Sequence, residues 1–281
     1  MARKTTSPTF NATALHLRSL DLRSDALERS AGFPYQLEIF QGFEKIEFNA
    51  PVTFFVGENG SGKSTLMEAL ACAAGSITVG SESVKTDPTL EAVRRFSQLL
   101  QLSWSKRTHR GFFLRAEDFF GYARKMSQVR AELEEDLHTV DREYQGRSAM
   151  AVSLAKMPMA HELYDMKQKY DGDLEAHSHG ESFLSLFQSR FVPNGFYLLD
   201  EPEAPLSPFR QLAFLSLLKS MIQEESQFII ATHSPILMAF PGAAIYSFDD
   251  GHIHPVAYEE LEHVRLTRDF LNDPQAFLNH L

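Results

Sequence analysis

The fold is decided by residues 52–65, which read VTFFVGENGSGKST. The first five of these residues are apolar, aromatic or β-branched, a composition typical of a strand buried on both faces in a parallel sheet. Residues 57–64 match G-x-x-x-x-G-K-[ST], the glycine-rich loop that binds phosphate groups. Residues 66–74 are rich in Ala, Leu, Met and Glu, which predicts a helix. The order of strand, loop and helix favours a phosphate-binding loop over an ordinary glycine-rich turn.

The residue types in this loop suit a triphosphate bound together with Mg²⁺. Glycine lets the backbone bring several N–H groups close to phosphate oxygens, and the following helix adds its positive end. Lys63 can neutralise the β- and γ-phosphates, and the Ser64 hydroxyl can bind Mg²⁺. We expect the nucleotide to contact eight consecutive residues: Glu58, Asn59, Gly60, Ser61, Gly62, Lys63, Ser64 and Thr65.

Two more apolar stretches, residues 196–199 and 228–231, are each followed by polar residues. In an open α/β sheet the carboxyl ends of parallel strands meet at one edge, where binding sites form. Asp200 could therefore hold Mg²⁺ and Glu201 could polarise an attacking water. His233 could contact the γ-phosphate. Taken alone, an Asp-Glu pair after a strand is commonly a turn, and a lone loop histidine is commonly structural.

The pattern elsewhere predicts alternating strands and helices, which favours a mainly parallel sheet. Residues 35–48 read as a hairpin turning at Gly42, residues 90–102 as a helix and residues 111–114 as a strand. Residues 122–170 read as helical, with an interruption at Pro158. A helix over 208–222, a strand over 244–248 with a turn at 249–251, and a helical tail from residue 258 complete the prediction.

Composition excludes several classes of protein. The length of 281 residues fits one large α/β domain. The net charge of −10 argues against a broadly basic protein that coats nucleic acid. The single cysteine, Cys72, provides neither an intramolecular disulfide nor a cysteine zinc site. No stretch has the length and hydropathy of a membrane span, and no signal peptide is evident, so we expect a cytoplasmic protein.

The acidic and basic residues between 130 and 136 leave two interpretations open. They are typical of a solvated helix face, and the segment could also bind a partner or form a coiled coil. The sequence shows no sustained heptads.

Four motifs, GENGSGKST, SHGES, FYLLDEPE and ATHSP, occur in this order. Together they resemble the nucleotide-binding domain of the ABC-type ATPase superfamily, in particular its soluble members: SMC-like and RecF-like heads and small AAA-family ATPases of bacteria. The resemblance covers about residues 35–255. It implies a P-loop α/β fold with a mainly parallel central sheet, an N-terminal antiparallel β subdomain and an inserted helical lobe. We expect a poorly structured segment at 1–30, one ATPase domain over 31–281 and the lobe at about 85–190.

The resemblance also implies roles for individual residues. Glu201 resembles the catalytic base and His233 the switch histidine, while Ser64 and Asp200 would hold Mg²⁺. A signature motif that closes over the γ-phosphate of a second subunit corresponds to Ser178, Gly180 and Glu181. The sequence departs from the usual motif at Glu181, which replaces a glutamine, and at the flanking histidines. No Q-loop glutamine is found, and Glu117 is considered as its replacement at the metal.

The implied function is that of an ATPase that forms a homodimer around Mg²⁺ and ATP. The resemblance favours work in DNA maintenance, repair or defence with an effector protein, and possible DNA binding. Two alternatives remain: the ATPase subunit of a membrane transporter, and a nucleotide-gated scaffold with negligible turnover. Which aromatic residue stacks on adenine is left open; the candidates, each also suited to the core, are Phe33, Tyr35, Phe40 and Phe43.

Overall fold

The computed structural model describes residues 15–23, 32–79, 87–170 and 179–279. Its strands are β1 (Leu17–Leu22), β2 (Ile46–Glu47), β3 (Val52–Val56), β4 (Leu100–Trp104), β5 (Phe113–Leu114), β6 (Phe196–Asp200), β7 (Gln227–Ala231), β8 (Ala244–Ser247) and β9 (His254–Pro255). Six of them form the main sheet in the order β5-β6-β7-β3-β8-β9. Neighbours from β5 to β8 pair in parallel, and β9 adds an antiparallel edge. The predicted fold class, with a mainly parallel sheet, is confirmed.

The main sheet is buried on both faces, which explains the continuous apolar runs of its strands. In β3, Phe55 packs into one hydrophobic cluster, whereas Phe54 and Val56 pack into another. All five residues of β3 are buried, as are those of β6 and β7. Because successive side chains of a strand point to opposite faces, only a sheet covered on both sides needs such a run.

The described helices are α1 (Glu38–Gln41), α2 (Lys63–Ala74), α3 (Glu91–Ser97), α4 (Ala116–Glu143), α5 (Ala149–Tyr170), α6 (His179–Arg190), α7 (Pro208–Gln223), α8 (Pro235–Met238), α9 (Glu262–Asn272) and α10 (Pro274–Leu278). The phosphate-loop helix α2 packs in the same cluster as Phe55. Helices α6 and α7 cover the opposite face through residues such as Phe183 and Phe214. No described helix is long and apolar enough to cross a membrane.

A second sheet, antiparallel, consists of β2, β1 and β4 in the described residues. It confirms the expected N-terminal β subdomain, but two of its strands come from unexpected places. Strand β1 falls within residues 1–30, which the sequence reads as poorly structured. The hairpin predicted over 35–48 is wrong, because α1 occupies its first half. Ile39 and Phe40 are both buried although they are adjacent, which a half-exposed strand does not allow.

The helix predicted over residues 90–102 is also too long. Helix α3 ends at Ser97, and β4 begins at Leu100 to pair with β1. The burial of Leu100, Leu102 and Trp104 alternates with exposed residues, the period of a strand. Pairing with β1, about 80 residues earlier in the chain, therefore overrides the local helical preference.

Residues 116–190 contain α4, α5 and α6, within the range predicted for a helical lobe. Contrary to expectation, Pro158 lies inside α5 without ending it. Pro158 has no N–H to donate to the carbonyl of Leu154, one turn earlier. Because both residues are exposed, water can bind that carbonyl instead. On α4, Arg130 pairs with Glu134 one turn away at 2.9 Å, which supports a solvated face for the charged run.

The hairpin predicted at residues 249–251 is confirmed. Strands β8 and β9 pair antiparallel with Ser247 opposite His254, and a short 3-10 helix, Asp249–Gly251, joins them. Asp250 has a φ of 59°, a left-handed conformation that aspartate tolerates better than most residues. The chain then passes through Tyr258–Glu260 into α9.

Candidate functional site

The phosphate loop connects β3 to α2 at the carboxyl end of the main sheet. Gly57, Gly60 and Gly62 have φ values of 145°, 83° and 95°, which favour glycine. At Gly62 a Cβ atom would also lie 2.5 Å from Cδ1 of Ile39 in α1. The loop can therefore curve around a phosphate chain only with glycine at these positions.

Lys63 lies beneath the loop. Its ammonium donates hydrogen bonds of 2.8 Å to the carbonyl oxygens of Gly57 and Glu58. Burial lowers the pKa of Lys63, and the nearby carboxylates, first Asp200 and then Glu201, act in the opposite direction. The charge is held at the point where phosphate oxygens would enter the loop.

Asp200 ends β6 and is 7% exposed. Burial raises its pKa to about 6, opposed by a hydrogen bond from the Ser64 hydroxyl. Its Oδ1 atom has no hydrogen-bond partner among the described residues. No group of three or more His, Cys, Asp or Glu in the described chain could hold a metal by itself. Mg²⁺ commonly takes one or two protein oxygens and completes its shell with phosphates and waters, and Ser64 with Asp200 fits that donor set.

Glu201 follows Asp200 in a left-handed conformation, with a φ of 49°. Such backbone strain is concentrated at functional sites. Its side chain is 40% exposed and reaches to 3.7 Å between Oε1 and Nε2 of His233. Glu201 also lines a cavity of about 270 Å³ together with Lys63, Ser64 and Thr65. The carboxylate therefore faces the phosphate loop across a space open to water.

His233 follows β7, next to β6 in the sheet. Burial lowers the pKa of His233, and the charge of Lys63 lowers it further. The ring is thus neutral at pH 7 and can present one N–H to a phosphate oxygen.

The structure brings together most of the residues that the motifs single out. Lys63, Asp200, Glu201 and His233 influence one another electrostatically around the loop. The remaining loop residues line the 270 Å³ cavity or a second cavity of about 570 Å³ beside the loop. They are Glu58, Asn59, Gly60, Ser61, Gly62, Ser64 and Thr65.

Four predicted residues are not brought into this group. Ser178 lies outside the described residues. Gly180 and Glu181 fall in the first turn of α6, and Glu117 in the first turn of α4; only their backbones are described. Their roles remain predictions.

Two site residues were missed by sequence reasoning. Glu203 accepts a hydrogen bond of 2.7 Å from the backbone N–H of His233. It thereby fixes the position of the segment after β7 that carries His233, here called the switch loop. Asp249 accepts one of 2.9 Å from the N–H of Glu58, holding the start of the phosphate loop. Asp249 follows β8, next to β3 in the sheet, so the rule that found Asp200 and His233 could have found it too.

The aromatic candidates for adenine stacking separate into two groups. Phe40 is buried, Tyr35 packs edge-on against Phe96 and Phe43 packs against Phe40, so these three belong to the core. Phe33 is 50% exposed and lines the 270 Å³ cavity beside the phosphate loop.

A protein-family model described as an AAA domain matches residues 36–148. This span contains the phosphate loop and amounts to less than half of the chain. The chain resembles the ABC-type ATPase superfamily. The motifs predict this resemblance, and the family match confirms it over the span that contains the loop.

The solved structures similar to this chain include SMC head domains and ATP-binding cassettes of ABC transporters. The Smc head domain of Pyrococcus furiosus bound to the C-terminal domain of ScpA has 13% identity, covering 91% of this chain and 99% of that one with a TM-score of 0.44. The SMC head of Thermotoga maritima has 16% identity, with coverage of 86% and 100% and a TM-score of 0.42. A nucleotide-free ATP-binding cassette of an ABC transporter has 15% identity, 95% and 99% coverage and a TM-score of 0.45. No curated protein matches this chain in sequence.

Proposed function

We propose that this chain binds ATP with Mg²⁺ and hydrolyses it to ADP and phosphate. The observation that carries the proposal is the convergence of Lys63, Asp200, Glu201 and His233 around one phosphate loop. Each comes from the start of a helix or the end of a strand, so the parallel sheet holds them in fixed relative positions. The same set would have no purpose in a simple glycine-rich turn.

Each residue of the site is proposed to have its own role in hydrolysis. Lys63 and the loop N–H groups neutralise the phosphates, and Ser64 with Asp200 would hold Mg²⁺, which would supply positive charge to offset the charge that develops on the phosphates. Glu201 orients the attacking water through its carboxylate, since it is the more exposed acid and faces the loop. His233 donates its ring N–H to the γ-phosphate, and Glu203 keeps that loop in place.

Dimerisation around ATP is the second part of the proposal. Residues 179–181 of the motif form the first turn of α6, and the first N–H groups of a helix can bind an anion. In the proposed dimer, Ser178, Gly180 and Glu181 of one chain close over the γ-phosphate on the other. Two equal sites would form by symmetry.

Phosphate release by the native chain tests hydrolysis directly. We expect Glu201→Gln to lose turnover about 100-fold while it still binds ATP, because it keeps the shape but not the base. Lys63→Ala should lose both turnover and ATP binding. Lys219→Ala, an exposed lysine on α7, serves as the control. If native chain and Glu201→Gln are equally inactive while both bind ATP, the chain is a nucleotide-gated scaffold and not an enzyme.

The process served by this ATPase is proposed on motif resemblance alone: DNA maintenance, repair or defence, with an effector protein. Binding of the Glu201→Gln dimer to duplex DNA, measured with and without ATP over a range of salt concentration, tests it. The rival proposal, a transporter subunit, predicts co-purification with an integral membrane protein. Absence of ATP-dependent DNA binding would favour the rival.

A further inference from the structure

A third cavity lies beside the phosphate loop, on the side of the C-terminal segment. Its volume is about 650 Å³, and its lining includes Gly57 and Glu58 of the loop, His233, His254 of the β8–β9 hairpin and His263 of α9. Neither His254 nor His263 has a part in the mechanism proposed above.

Two imidazole nitrogens of this cavity are buried without a hydrogen-bond partner among the described residues: Nδ1 of His254 and Nε2 of His263. Nε2 of His233 also makes no hydrogen bond, but it lies 3.7 Å from Oε1 of Glu201. Buried polar atoms in native proteins are nearly always paired, so unpaired ones call for an explanation. Two in one cavity, beside a phosphate-binding loop, can each donate to a ligand that carries hydrogen-bond acceptors, when the nitrogen bears the proton.

His263 lies in the electrostatic field of the site. Its pKa is lowered first by burial and then by the charge of Lys63, against the opposing effect of Asp249. His263 in turn contributes to lowering the pKa of His233. His263 and His233 line the same cavity, and the charge of Lys63 acts on both imidazoles.

Packing of α9 does not account for this placement. The helix is anchored by Leu261 and Val264, on either side of His263 in sequence, which are buried in the hydrophobic cluster that contains residues of α6 and α7. His263 itself is not part of that cluster, and its buried Nε2 is left unpaired.

We propose that His263 binds the γ-phosphate of ATP as a second imidazole donor beside His233, so that α9 distinguishes ATP from ADP. This inference rests on the proposed function. The chemistry is that of two neutral rings, each donating one N–H to a terminal phosphate oxygen that ADP lacks. Helix α9 is thereby coupled to whether the bound nucleotide is ATP or ADP.

The test compares the affinities for ATP and ADP, with Mg²⁺, in a Glu201→Gln background that prevents turnover. We expect His263→Leu to weaken ATP binding about tenfold and to leave ADP binding within twofold, because only the γ-phosphate contact is lost. His263→Gln, which restores an N–H near the same position, should recover most of the ATP affinity. His138→Leu, an exposed histidine on α4, is the matched control.

Equal loss of ATP and ADP affinity in His263→Leu, no loss at all, or equal weakness of the Leu and Gln variants would overturn the proposal. A purely structural histidine would not change the ratio of the two affinities. Should the variants fail to fold, amide hydrogen exchange of the native chain decides. Protection of α9 must then rise with ATP and Mg²⁺ but not with ADP, and the same protection with both overturns the proposal.

Failure here is distinguishable from failure of the proposed function. If Lys63→Ala abolishes ATP binding while the His263 variants behave as native, the ATPase proposal stands and the α9 proposal falls. If Lys63→Ala binds ATP as well as the native chain does, the phosphate loop itself is not the binding site.

Discussion

At the residue scale, the ionised carboxylate of Asp200 is disfavoured by burial, and Mg²⁺ would compensate for that cost. Burial raises the pKa of Asp200 to about 6, so at pH 7 an ionised carboxylate is held in a poorly solvated position. Mg²⁺ requires that ionised form. We expect Mg²⁺-dependent ATP binding to weaken as the pH falls below about 6, because protonation of Asp200 removes a metal ligand. Titration of ATP affinity between pH 5 and 8, with and without Mg²⁺, measures this.

The same residue makes a prediction about stability without nucleotide. Because the folded pKa lies above the ordinary 3.8, the folded chain binds more protons than the unfolded chain between these values. The contribution of Asp200 to stability therefore falls as the pH rises from about 4 to about 6. We expect Asp200→Asn to raise the free energy of unfolding at pH 7 by roughly 2 kcal/mol. Urea denaturation at pH 4 and 7 checks this, and a less stable variant at pH 7 would contradict it.

Glu203 is expected to act on turnover through His233. Glu203→Ala removes the acceptor of the His233 backbone N–H, so the switch loop loses its fixed position. We expect kcat to fall about tenfold with little change in KM for ATP. Glu203→Gln retains an acceptor oxygen and should stay close to native. Steady-state kinetics of both variants, with melting temperatures as a folding check, measure the effect; a change confined to KM would contradict it.

At the scale of elements, the junction of β5 with β6 depends on Gly111. Its φ is 111°, and a Cβ atom there would lie 1.9 Å from the carbonyl oxygen of Phe196. We expect Gly111→Ala to lower the free energy of unfolding by about 3 kcal/mol or more, because a backbone must move. Gly121→Ala is the matched control: it lies within α4 with open space around it and should be neutral or slightly stabilising. Chemical denaturation of both variants decides.

Elements also show where local sequence patterns suffice and where they fail. The strand-loop-helix unit around the phosphate loop follows from its own residues, since each part has a strong local signal. Strand β4 and helix α1 do not follow from local signals, because their identity depends on β1 and on the core contacts of Ile39 and Phe40.

At the scale of the whole molecule, Gln227 ties the antiparallel sheet to the main sheet. Its Oε1 accepts from the N–H groups of His16 and Leu17 at 2.9 and 2.8 Å, and its Nε2 donates to the Leu17 carbonyl at 3.0 Å. We expect Gln227→Leu to lower the free energy of unfolding by roughly 2–4 kcal/mol, because these backbone groups become buried without partners. Gln223→Leu, on the exposed end of α7, is the control. Equal stability of the two variants would contradict the prediction.

The amino-acid sequence suffices to predict the phosphate loop, the buried strands of the main sheet and the acidic and histidine residues that follow them. It could do so because these features depend on residues adjacent in the chain and on the rule that parallel strands end at one edge. Only the folded structure shows that β1 pairs with β4, which backbone N–H groups Glu203 and Asp249 hold, and that His263 lines a cavity beside the phosphate loop. Those contacts join residues 30 to about 200 positions apart, and no local pattern records which distant groups will meet.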